Sequence, residues 1–565
     1  MASYQVNSIY RTTFYNNPNI VRVDLKNTPW VNNEMDTSFT NCTNLTDIEN
    51  INNSVTSIKQ AFYGCTSLEQ TPIIPNSVID MEGAFYNCSN LTVITNTIHN
   101  GVTNVAYCFS GCRKLPTLPE IPDSVTNMAG TFGDCINITR PNKISNNVTN
   151  LTATYMFDEG LEDIPLIPNT VTSLGKTFLL TDLSNINVTN GILPNSITHM
   201  WVSFCKSNYT TGLTLPNSLT DMKSTFYMCD KLTTTPTIPN SVVNMAGTFQ
   251  SCYNLTNITN LPPNVVNLGC GGTDMIPEDP PFAHVIGTGC FAYCTNLEDS
   301  SVPAIPNSVT DMTGTFAGCT KFINMVQLPN SVVNIAECFM GCTNLVNTTM
   351  IPNSVTNMAN TFSNCTNLII TPIIPNSVIN MTNTFSGCTN ITIAPEIPNS
   401  VTSMLGTFSG CSNLIMASTI PNSTTQIANA FSGCSNLITA PIISESVTNM
   451  YGTFYGCSNL TGRVMIMSPN ISNVSGAFLL GSDNYLNKDV YIPFTYGNGV
   501  NTITYNTFTA YGYDNAGTKH GVYLKDINEP RQLDVEGYEY TVDSNDNVLL
   551  TKYIGNDENI IAPII

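Results

Sequence analysis

IPNSVINMTNTFSGCTNITIAPE, residues Ile374–Glu396, follows directly on IPNSVTNMANTFSNCTNLIITPI, residues Ile351–Ile373. The two stretches share Ile-Pro-Asn-Ser-Val at their start, then Asn-Met, Thr-Phe and Cys-Thr-Asn at the same offsets. The step extends well beyond them. Cys319, Cys342, Cys365, Cys388, Cys411, Cys434 and Cys457 are each 23 residues apart, as are Cys42, Cys65 and Cys88, and Cys229 and Cys252. A globular domain has no reason to keep such a period. A solenoid does, because one period is one coil stacked on the next.

Within a coil the recurring apolar types are Ile, Val, Met, Phe, Cys and Leu. A single coil of 23 residues cannot hide them, so stacking must bury them in a continuous column. The expected core ladder includes Phe362, Phe385, Phe408 and Phe431, with Cys365, Cys388, Cys411 and Cys434 beside it. Phenylalanines mark coils from Phe14, through Phe132, Phe157 and Phe178, to Phe478 and Phe508. Pro375-Asn376-Ser377 reads as a turn. Asn380–Cys388 is too short for a stable free helix and reads as a single helical turn, of α or 3₁₀ type. Leu368–Ile373, rich in Ile and Thr, reads as a short parallel strand, with Pro372 limiting its pairing.

Composition restricts the partners. Charged residues are only 10% of the 565, so the surface is neutral and polar, supplied by Asn, Thr and Ser. The net charge of −20 with 19 Lys and Arg provides no cationic cluster for a phosphate backbone or an anionic membrane. Nucleic acid is therefore excluded as a partner, and so is membrane insertion, since no run of 18 apolar residues exists. Residues 1–17 (MASYQVNSIYRTTFYNN) lack the apolar core of a secretory signal, and the expectation is a chain not exported by that route.

The pattern V-T-N-M-x-x-x-F-x-x-C-x-N-L, as in Val355-Thr356-Asn357-Met358, Phe362, Cys365, Asn367 and Leu368, resembles the BspA-like, Treponema-type leucine-rich repeat, in its Met-containing surface-protein variant. The resemblance covers about residues 9–480. It implies a leucine-rich-repeat solenoid of about 20 coils of 23 residues, with short parallel strands on one face and single helical or 3₁₀ turns on the other. Tyr538–Ile565 resembles the strand-rich unit that opens such arrays and here would serve as a cap. The expected organisation is thus a regular solenoid over 1–460 with an insertion at 270–289, irregular Tyr-rich coils over 461–535, and a C-terminal strand-rich cap over 536–565.

The resemblance also implies a non-enzymatic structural or binding protein. Family members are surface adhesins and binding proteins, and related arrays occur in bacteriophage structural proteins. With no export signal read in residues 1–17, the expectation is a virion component, a tail, fibre or capsid-associated protein for assembly or host attachment. A bacterial cell-surface adhesin is the alternative, and a polysaccharide-degrading solenoid enzyme a third reading. Partners would be virion or surface proteins, or a host surface glycan or protein receptor; a homo-oligomer stays open.

Candidate chemistry is sparse, and no cofactor or metal is expected. The cysteine column reads as buried free thiols. Cys108 with Cys112, Cys290 with Cys294, and Cys338 with Cys342 supply two metal-ligand types each, with two ligands missing. Asp158, Glu159, Glu162 and Asp163 group in one irregular coil, and Asp274, Glu278 and Asp279 in another, which is the residue type glycoside cleavage needs. Phe249 to Phe291 spans 42 residues, 19 more than a coil, so 270–289 is an insertion. Its Asp274, Met275, Glu278, Pro281, Phe282 and His284 form a candidate contact loop. Asn367, Asn390, Asn413, Asn436 and Asn459 are expected to form a hydrogen-bonded ladder.

Overall fold

The computed structural model describes the chain except residues 1–8, 141–142, 162–163, 182, 184–192, 210–212, 270–288, 461–463, 469–470, 479–488, 493–522, 527–530, 533–537, 543–547 and 554–565, with the backbone alone described in the strands beyond 488. It divides into two units, Met1–Val332 and Val333–Ile565. Each is a stack of coils.

The coil 374–396 shows how the repeat folds. The Val378 N–H donates to the Pro375 carbonyl at 3.1 Å, closing the Pro-Asn-Ser-Val turn. The next N–H, of Ile379, donates to Thr356 one coil back at 2.9 Å, and Asn380 bridges in parallel to Asn357 on one side and Ser403 on the other. From Met381 to Cys388 the donors then alternate. The N–H groups of Met381, Asn383, Phe385 and Gly387 reach the next coil, at Ser403, Leu405, Thr407 and Ser409. Those of Thr384, Ser386 and Cys388 close three-residue turns onto Met381, Asn383 and Phe385.

These turns carry the i→i+3 bonding of a 3₁₀ turn, but they do not accumulate into a helix. Asn383 (φ 52°) and Gly387 (φ 74°) sit at the third position of their turns in the left-handed region, the mark of type II geometry. The result is a run of tandem β-turns. Half of its donors leave the coil, so no coil can satisfy its own backbone alone. This explains the Asn/Gly spacing in the sequence: Asn360 and Asn364, Gly406 and Gly410, and Asn429 and Gly433 occupy the same two places with positive φ.

The main parallel ladder lies at the Asn preceding Met, as in Asn334↔Asn357↔Asn380↔Ser403↔Gln426↔Asn449. The strand expected over 368–373 is not there, and no bridge forms in that segment. A second, interrupted ladder runs nearby through Ile393↔Met416↔Thr439. Proline does not decide which coils pair there, since Pro395 and Pro441 stand at the place of Pro372 in coils that do.

The core is a column of identical side chains. Val378, Met381, Phe385, Cys388 and Ile391 are fully buried. In the second unit the rings of Phe339, Phe362, Phe385, Phe408, Phe431, Phe454 and Phe478 stack with centroids 5.5–6.2 Å apart. In the first unit a like column runs from Phe14 and Phe39 to Phe291 and Phe316. Phe157 is not part of it. Tyr155, 23 residues after Phe132, takes the place, 6.0 Å from Phe132 and 5.9 Å from Phe178. Phe249 and Phe291 stack directly at 5.6 Å, so the insertion between them leaves the column continuous.

Named strands are few. In the first unit β1 (Arg22–Asp24) pairs in parallel with β2 (Asp47–Glu49), and Arg22 bridges Asp47 and Glu49 at 2.8 Å each. In the second unit β3 (Val464–Met465), β4 (Asp489–Ile492) and β5 (Tyr523–Asp526) form a parallel sheet. The direction changes after it: β6 (Arg531–Gln532), β7 (Tyr538–Val542) and β8 (Val548–Tyr553) are antiparallel.

Candidate binding face

The side chains singled out for chemistry are placed mostly inside the column. Of the 20 cysteines, all but Cys270 lie in described residues, and none of these forms a disulfide. The ladder thiols point along the stack. Cys365 donates to the Phe339 carbonyl (3.1 Å), Cys388 to Phe362 (3.0 Å), Cys411 to Phe385 (3.1 Å) and Cys434 to Phe408 (3.1 Å), each one coil back. Burial pushes these thiols up, to about 12 at Cys411. Cys112 and Cys294 follow the same pattern, onto Phe85 and Phe249. Their partners Cys108 and Cys290 take the place before the phenylalanine where most coils have Thr. Among the described residues no three His, Cys, Asp or Glu side chains are grouped to hold a metal ion.

The described carboxylates of the irregular coil are not brought together. Asp158 stands 23 residues after Cys135, in the cysteine column itself, and is fully buried; Glu159 is exposed. The Cys135 N–H donates to Asp158 Oδ1 at 2.7 Å, while Oδ2 has no partner. Burial is the main cause holding this carboxyl well above the usual carboxylate range. Glu162, Asp163, Asp279 and the whole candidate contact loop (Asp274, Met275, Glu278, Pro281, Phe282 and His284) lie outside the described residues.

What the coils present outward is different. Counting from each ladder cysteine, the fourth, fifth and eighth residues follow the buried Leu or Ile and face solvent. In the second unit these places hold Met350, Ile369, Ile370, Ile373, Ile393, Ile415, Met416, Ile438 and Ile442, all exposed; Ile373 is 82% exposed and Met350 72%. Adjacent coils join here: the Ile415 N–H donates to Thr392 at 2.9 Å, that of Ile438 to Ile415 at 3.3 Å, and Ile393 bridges Met416. The nine side chains therefore lie on one outward face over five successive coils, with Glu396 and Thr419 taking the eighth places between Ile373 and Ile442. Beside it Pro372, Ile373, Ile374, Pro395 and Pro398, with Glu396, line an open groove of about 540 Å³.

The surroundings are almost without charge. From Cys338 to Ser444 the only charged side chain is Glu396. The adjoining column is an amide ladder. Asn367, Asn390, Asn436 and Asn459 each donate to the Asn one coil back at 3.2–3.4 Å, on the exposed side. An apolar patch of this extent rimmed by neutral polar groups marks an interaction surface. The signal was present in the sequence as Ile-Ile, Ile-Met and Ile-Thr after the Asn-Leu corner, where the eye reads a buried strand.

Residues 2–92, 82–199, 183–270, 284–405 and 381–511 match the family described as BspA type leucine rich repeat region (6 copies). Among solved structures, a leucine-rich repeat protein from Bacteroides ovatus is similar at 20% identity, over 77% of this chain and 82% of that one, with a TM-score of 0.34. One from Eubacterium ventriosum is similar at 18% identity, over 69% and 87%, with a TM-score of 0.36. A leucine rich cell surface protein from Faecalibacterium prausnitzii is similar at 19% identity, over 80% and 83%, with a TM-score of 0.21. No curated protein matches the chain.

Proposed function

Because the chain belongs to the BspA-type leucine-rich-repeat family, we propose that it is a non-enzymatic attachment protein that holds a macromolecular partner against an outward face of its repeats. The observation that carries this reading is the nine-residue apolar strip of coils 342–442, set in a surface with one carboxylate. Such a face binds by shape, apolar contact and neutral hydrogen bonds, so it suits a neutral protein surface or glycan and gives a strongly charged partner nothing to pair with.

Display on a bacterial surface is part of this proposal. The virion role expected from residues 1–17 and from related bacteriophage arrays draws no support from the family match. Of the carboxylates named for the polysaccharide-cleaving reading, Asp158 is buried and Glu159 exposed, and Glu162, Asp163, Asp274, Glu278 and Asp279 lie outside the described residues.

Two measurements test the reading. The purified chain is passed over arrays of neutral glycans and of host surface proteins, as wild type and as Ile373→Lys. Capture that falls at least tenfold in the variant supports it; capture unchanged by the variant overturns the strip as the site. Antibody labelling of intact producing cells then separates a cell-surface protein from one found only in phage particles.

A further inference from the structure

We propose that the apolar strip of the second unit is a self-association surface whose occupant is the same strip of a second copy, packed antiparallel about a twofold axis at the coil of Ile393. The inference rests on the reading of this face as an interaction surface and commits it to a partner.

Three observations carry it. The first is area. The nine exposed side chains offer on the order of 1,000 Å² of surface, against the roughly 800 Å² per partner of a standard stable interface. The second is pitch. The strip's columns repeat once per coil, at the parallel-strand spacing of about 4.8 Å. A second copy of this face repeats with the same pitch, so coil meets coil along all five coils of the strip. A twofold axis makes the contact closed and self-complementary. With the axis at the middle coil, Ile370 of one copy meets Met416 of the other, and the two Ile393 side chains meet each other.

The third is charge. The chain as a whole carries −20, which repels a second copy. Between Cys338 and Ser444 only Glu396 contributes to that charge, so this is where two copies approach at least electrostatic cost. Glu396 takes the eighth place of the middle coil, in the column of Met350, Ile373 and Ile442, so the axis sets it against the same residue of the second copy, and this is the one repulsive contact of the interface.

The test uses the full chain. Sedimentation equilibrium at micromolar concentrations is expected to give a dimer. Ile393→Lys with Met416→Lys is expected to raise the dimer dissociation constant at least ~100-fold, as central hot-spot substitutions do. Both positions are exposed, so an unchanged melting temperature verifies that the fold is kept. Ile393→Cys, oxidised mildly with diamide, is expected to give a covalent dimer on a non-reducing gel that the wild type does not give. A wild type that stays monomeric, a dimer indifferent to the double substitution, or an Ile393→Cys chain that does not cross-link overturns the proposal. The two readings fail separately. A monomer whose capture of an array probe is lost in Ile393→Lys keeps the attachment face and loses the dimer. A dimer of the stated geometry that captures no probe keeps the dimer and loses attachment.

Discussion

The thiol of Cys388 donates to the carbonyl of Phe362, 3.0 Å away and one coil back. Thr181 makes the same contact, its hydroxyl donating to the Tyr155 carbonyl at 2.7 Å. The column therefore asks for a small side chain with one donor, and sulfur is one of two solutions. Cys388→Thr should cost less than about 1 kcal/mol, whereas Cys388→Ala, which leaves a cavity and a buried carbonyl without its donor, should cost about 2 kcal/mol. Urea unfolding of the two variants checks the order.

Burial also decides reactivity. The ladder thiols are held far above the range in which a thiolate forms near neutrality. At pH 8 in the folded protein, an aromatic disulfide reagent should leave the 19 buried thiols of the described residues unlabelled. In denaturant it should titrate all 20. Labelling that proceeds in the native state faster than global unfolding would contradict the packing described.

Gly387 and Gly410 share a left-handed φ but not the space around it. A Cβ on Gly387 would lie 2.3 Å from Asn364 Oδ1, while one on Gly410 would lie 3.6 Å from the Gly387 backbone. Gly410→Ala and Gly387→Ala should each cost the conformational strain of about 1 kcal/mol, with Gly387→Ala adding only the displacement of the exposed Asn364 side chain. Melting temperatures of the two variants measure the difference.

Phe385 stacks between Phe362 at 5.6 Å and Phe408 at 5.5 Å. Phe385→Ala should remove about 3–5 kcal/mol of stability. Because the column is shared from coil to coil, the loss should appear as cooperative unfolding of the neighbouring coils in hydrogen exchange, rather than as local fraying at one turn.

Asp158 gives the fold a pH dependence. Its carboxyl is buried, and its folded-state pKa lies well above the unfolded value of about 4. The groups facing it are Cys135, Asp134 and Tyr155, none of them cationic. The folded state thus binds the proton more tightly than the unfolded chain. Its contribution is complete below the unfolded value and is lost as pH rises from there through the folded-state value. Asp158→Asn, which keeps an acceptor for the Cys135 N–H, should flatten that slope and be more stable than wild type at pH 8 by about 1–2 kcal/mol. Chemical unfolding at pH 4, 6 and 8 measures it.

The repeat was legible because the 23-residue step is written in Phe and Cys, which recur at one place in each coil, and Phe385 and Cys388 stand where that step puts them. Counting by residue type alone failed at one coil. Phe157 drew the eye, while the step from Phe132 lands on Tyr155. The position of the ladder was hidden because β-branched residues occur twice per coil, at Val378–Ile379 and again after Leu368, and only hydrogen bonding tells which pairs. The tandem turns were hidden too, since Asn383 and Gly387 look like ordinary polar spacing until their φ values are known. The apolar strip escaped because Ile369 and Ile370 resemble core residues; only their exposure, 56% each, shows otherwise.

The donors of the tandem turns point toward the following coil, and those of the row containing Ile379, Thr402 and Thr425 point toward the preceding one. Columns of peptide dipoles thus run up one side of each stack and down the other. The opposition is partial, since Met381, Asn383, Phe385 and Gly387 point forward where Ile379 points back. A duplicated coil therefore adds less field at the tips than the same backbone would in an α-helix, where every residue added stays aligned with the last.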